Sequence, residues 1–155
     1  MLQELALALH IAPGVLALAL GPLAVYAAKR SGPGTRLDGA YHLAVLAVCA
    51  SAALLAALDW SRLWWFLPIA AGSYGLALLG YAAGRRDRLR LYVHGQGGSY
   101  IALVTALLVI SLGSPVAWVA PTLIGSPLIQ LIARRLASPP THGEVGTCTR
   151  SLLGT

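Results

Sequence analysis

Charge is the first thing this sequence lacks. Only 10% of its 155 residues are charged, where soluble domains carry roughly a quarter. A soluble globule of this length could not cover its surface so sparsely, which leaves the integral membrane class. Acidic side chains are the scarcest, five against eleven Lys and Arg. No pair of carboxylates falls inside an apolar run, no phosphate-binding loop occurs, and no serine has a plausible base nearby. Ordinary hydrolytic or kinase chemistry therefore has no support. Cysteine is nearly absent as well. Cys49 lies within an apolar run and Cys148 in a polar stretch, with no CxxC or other metal-ligand spacing, so no disulfide is expected. The net charge of +6 sits in small basic groups between apolar runs. That is a topology pattern with no continuous basic face, and nucleic acid is not an expected partner.

What the chain has in abundance is apolar sequence: 57% hydrophobic residues and a mean hydropathy of +0.74. Five runs stand out, at about residues 2–28, 40–58, 63–83, 93–112 and 116–132. Each is long enough to cross a hydrocarbon core of about 30 Å at 1.5 Å per residue. The expected fold is all-α: a polytopic membrane protein with a bundle of five transmembrane helices over residues 1–135. Residues 136–155, rich in Pro, Thr, Ser and Gly, read as a flexible cytoplasmic tail. The only charge at the start of the first run is Glu4, unlike the basic start of a signal peptide, so this run is read as a retained helix. Pro13–Gly14 and Gly21–Pro22 should kink it, and Pro121 and Pro127 interrupt the fifth run. Gly80 and Gly84 have the small-xxx-small spacing that lets helices approach closely.

Basic residues alternate with the loops. Lys29, Arg30 and Arg36 fill the first, Arg62 stands alone against Asp59 in the second, four arginines crowd the third, and Arg134–Arg135 follow the fifth run. The positive-inside rule then puts the N-terminus outside and the C-terminus in the cytoplasm. All four tryptophans (Trp60, Trp64, Trp65, Trp118) fall at ends assigned to the outer face, as a one-sided aromatic belt. The abundance of Ala, Leu and Arg suits a GC-rich bacterial genome, so a multi-pass protein of the bacterial cytoplasmic (inner) membrane is expected.

The stretch Arg85 to Leu112, RRDRLRLYVHGQGGSYIALVTALLVISL, places the candidate chemistry. His94 sits just inside the arginine border, and His42 follows Arg36 into the second run. The offsets are about 6 Å and 9 Å along a helix axis, so the two imidazoles should lie at similar depth. Two histidines at one depth on different helices fit a bis-imidazole haem b site, with Gly95, Gly97 and Gly98 leaving room for a flat macrocycle. The competing reading makes both histidines plain interfacial side chains. His10 lies about 28 Å from Lys29 along a straight helix, hence near the outer half, where Asp59 could join it at a metal or proton site. Its plainer role is a satisfied interfacial polar residue. His142 falls in the tail.

Two stretches resemble a family of small bacterial predicted membrane proteins, the DUF2306 family. LHIAPGVLALALGPLAVY, Leu9 to Tyr26, resembles its opening, and RDRLRLYVHGQGGSY, Arg86 to Tyr100, resembles its later Arg/Asp-rich loop. The matching positions are His10, Gly14, Gly21, Pro22, Asp87, His94, Ser99 and Tyr100. Where the family has His-Arg before the second helix, this chain has Thr35–Arg36. The resemblance implies fold and membrane location and no settled activity. Three functions follow as expectations: a haem-binding redox module on His42 and His94; an accessory or assembly subunit, with other membrane subunits or a second copy as partner; or a small transporter using the proline-containing first and fifth spans.

Overall fold

The chain folds into a helical bundle, seen in a computed structural model that describes residues 2–112, 114 and 116–137 and the side chains within 4–135. The helices are α1 (Leu2–Ser31), α2 (Arg36–Leu58), the single turn α3 (Trp60–Leu63), α4 (Phe66–Gly84), α5 (Leu89–Leu112) and α6 (Val116–Ala137). All but α3 are long and apolar enough to span a membrane, so the protein reads as multi-pass. The expected tail, with Cys148 and His142, lies outside the described residues apart from Leu136 and Ala137, which continue α6.

Several boundaries differ from those expected, and two of the differences have a local reason. The polar linker after the first run is mostly helical. α1 continues through Lys29, Arg30 and Ser31, where cations suit the negative end of the helix dipole. α2 begins a turn early because Thr35 and Asp38 form a capping box that satisfies its first backbone donors. α5 likewise starts at Leu89. Both proline-containing spans run as single helices, with Pro13 and Pro22 inside α1 and Pro121 and Pro127 inside α6.

α1, α2, α4 and α5 pack as a ring in which each touches the next, and α6 lies outside it, held mainly by α5. The interior is built from small residues. One cluster holds Ala17, Tyr41, Ala44, Val45 and Ala77, and a second holds Ala28, Ala83, Tyr92, Val93 and Ala133. Large aliphatics such as Leu43, Ile110 and Ile124 point outward. This inverts a soluble core. Lipid tails solvate leucine as well as a protein interior does, so helices associate through close packing of small side chains. The glycines show it directly. A β-carbon at Gly80 would lie 2.7 Å from the Gln96 backbone nitrogen, and one at Gly95 only 2.5 Å from that of Gly80. Here α4 and α5 touch backbone to backbone. The Gly84 half of the pair meets Gly34 and Tyr92 instead.

The four tryptophans gather at one end of the bundle. Trp65 packs on Phe66 and lies 5.5 Å, ring to ring, from Trp118, tying the start of α4 to the start of α6. The opposite end carries Lys29, Arg30, the Arg85–Arg90 segment and Arg134–Arg135.

Candidate functional site

At the arginine-rich end, α2 and α5 are joined by a buried polar centre built around Asp38. Asp38 is 1% exposed, and its carboxyl group is surrounded by donors. Oδ2 accepts from the Gly34 and Thr35 backbone N–H groups (2.9 and 2.6 Å) and from the Thr35 hydroxyl (2.9 Å). Oδ1 accepts from the Tyr92 hydroxyl at 2.5 Å and from Gln96 Nε2 at 3.4 Å. Gly34 reaches this position with φ +88°, a conformation open to glycine at little cost.

A second bridge lies further in. Ser99 Oγ donates to the Gln96 carbonyl (3.0 Å), so its oxygen receives the Tyr41 hydroxyl at 2.7 Å. Tyr92, Gln96 and Ser99 recur at i, i+4 and i+7, one face of a helix, and Asp38 and Tyr41 face them from α2. One polar atom in this centre stays unmatched: Gln96 Oε1, buried with no hydrogen-bond partner among the described residues.

Gln96 and Tyr41 also line a cleft of about 730 Å³ between α1, α5 and α6. Gly21 and Pro22 form its α1 wall, Pro121 and Gly125 its α6 wall, and Tyr100 stands on α5. A side chain on Gly21 would run into the Tyr100 ring, so this glycine sets how closely α1 approaches α5. Lys29 and Arg135 stand at the arginine-rich end of the cleft, and the remainder is mainly apolar. A second cleft of about 570 Å³ opens on the other flank of α6, between α4 and α5, with His94, Gln130 and Ser126 among its lining.

The sequence-expected ligands fall apart in space. His42 faces α4, stacked on Tyr81 (centroids 4.8 Å apart, 11° between planes) and beside Tyr74. Its Nδ1 is buried without a partner among the described residues. His94 is exposed in the cleft beyond α4, and its Nδ1 donates to the Arg90 carbonyl at 2.7 Å. Axial ligands must meet an iron from opposite faces, whereas His42 packs on the Tyr74 and Tyr81 rings of α4 and His94 lines the cleft along α5 and α6. His42 and His94 thus have different neighbours in this structure. The glycines expected to make room for it serve helix packing: Gly95 takes α4, Gly97 takes Ile129 of α6, and Gly98 takes Leu76.

His10 also has a different partner from the one expected. Its Nδ1 lies 3.0 Å from Ser51 Oγ. The Ser51 hydroxyl donates to the carbonyls of Ala47 and Val48, so its oxygen receives the His10 proton. Asp59 sits eight residues further along α2, about 12 Å away along the axis, where it accepts from Ser61. The two are not assembled into a metal site.

Asp38 and Gln96 were absent from the sequence reading, though both left a signal. Thr35-x-x-Asp38 is the capping-box pattern, and the polar i, i+4, i+7 stripe on α5 interrupts an otherwise apolar span. No family model, curated protein or solved structure matches this chain.

Proposed function

We propose that this protein is a small membrane carrier for a lipid-like compound, which occupies the cleft between α1, α5 and α6. The observation that carries the reading is the pairing of that cleft with the proline-containing helices: Pro22 and Pro121 both line its walls. Each proline removes one helical hydrogen bond and leaves a point about which its helix can bend. α6 is held mainly by α5, on seats made where Ile129 meets Gly97 and Ile101 meets Gly125. A helix held along one side can swing with little repacking elsewhere. Pockets of about 300–1,000 Å³ hold small ligands, and this one falls within that range. In this reading the membrane is the bacterial cytoplasmic one, with the arginine-rich end inside.

The test is transport in proteoliposomes holding a fluorescent phospholipid, read by the fraction quenched from outside. Reconstituted protein is expected to raise the rate of movement between leaflets above that of empty liposomes. Val104→Trp, which fills the cleft from its α5 wall, is expected to return it to background. A wild-type rate equal to that of empty liposomes, or a Val104→Trp rate equal to wild type, would overturn the proposal.

A further inference from the structure

We infer that the cleft selects an anionic amphiphile, its anion lying between Lys29 and Arg135. This deepens the carrier reading and rests on the same cleft. Two independent observations point to it. The first is charge. Lys29 of α1 and Arg135 of α6 both line the cleft, and both are exposed. Among the described residues neither engages a carboxylate. Cations at the membrane border attract acidic head groups.

The second is the shape and apolar character of the rest of the cleft.

The rest of the cleft suits a chain. From Gln96 to Leu108 the α5 wall is apolar, a length of about 18 Å at 1.5 Å per residue. Its far end reaches Ala120, towards the tryptophan end. The head is therefore at the arginine-rich end and the tail runs across the membrane.

The experiment uses the full chain in neutral detergent with three lipids of identical acyl chains. Phosphatidylglycerol and phosphatidic acid are anionic, and phosphatidylcholine is zwitterionic. Binding is read by native mass spectrometry. Both anionic lipids are expected to bind about tenfold or more tightly than phosphatidylcholine. Lys29→Ala with Arg135→Ala should erase the preference for both anionic lipids, whereas Arg86→Ala with Arg88→Ala, outside the cleft, should keep it. A melting midpoint measured on each variant shows that it is folded. Unchanged preference in the Lys29/Arg135 variant, or equal binding of all three lipids by wild type, overturns the inference. Transport without head-group preference would sink this inference and spare the carrier reading. Selective binding without transport would do the reverse.

Discussion

At the scale of single residues, the decisive group is Asp38, a carboxyl side chain buried at the first turn of α2 and used by five donors. Removing a buried acceptor leaves its donors without partners, which costs more than the bonds themselves contribute. Asp38→Ala is expected to destabilise the protein by about 3 kcal/mol, since buried donors left without an acceptor cost about 1–3 kcal/mol each. Tyr92→Phe removes only the hydroxyl and should cost less, about 1.5–3 kcal/mol. Reversible unfolding in mixed micelles checks both, and the double variant should fall short of the sum because the two groups are bonded. A milder outcome belongs to Ser51→Ala, which leaves His10 Nδ1 with no hydroxyl to meet: about 1 kcal/mol by the same measurement. Asp38 was hard to notice in sequence because it sits in a polar linker among Gly, Pro and Arg, where an acidic residue passes for a loop residue. Only the capping box draws it into the membrane-facing end of a helix.

At the scale of elements, the glycines divide into two kinds that look alike in sequence. Gly80 and Gly95 lie where α4 and α5 touch, whereas Gly72 and Gly75 on the same α4 have nothing within 4 Å of an added β-carbon. Gly80→Ala must push the helices apart and is expected to cost about 1–3 kcal/mol, as overpacking does. Gly72→Ala meets open space and removes a flexible residue from a helix, so it should stabilise by roughly 0.5–1 kcal/mol. Opposite signs from one substitution on one helix would confirm the packing assignment, and equal effects would refute it. The close approach at Gly80 was legible as a small-xxx-small spacing. The partner was not, because spacing on one helix says nothing about which neighbour takes the space. Gly95, Gly97 and Gly98 made this plain: read as room for a ligand, they are occupied by α4 and α6.

At the scale of the whole molecule, the bundle has a tryptophan end and an arginine end, and the proposed orientation places the latter in the cytoplasm. In a background without Cys49 and Cys148, Arg88→Cys in intact cells should resist a membrane-impermeant maleimide and react only after permeabilisation. Ser61→Cys, in the turn between α2 and α4, should react in intact cells. The reverse pattern would invert the topology while leaving the bundle itself untouched. The position of α6 outside the ring, with a cleft on each flank, is also a property of the whole: no pair of spans contains it.

Sequence alone determined that there are five membrane-crossing helices, which ends carry tryptophan and arginine, and where α4 could be approached closely. These follow from local composition and helical period, which every short stretch carries within itself. Tertiary structure decided which polar groups meet. His42 and His94 enter from the same end, yet His42 packs on the rings of α4 and His94 turns into the cleft along α5 and α6. Asp38 and Tyr92, 54 positions apart, share a hydrogen bond. The physical reason is rotation: a span reveals the depth of its side chains by counting along the axis, but the direction each one faces is set by its neighbours. Here that direction came from glycine contacts between helices, a pairwise property that no single run contains.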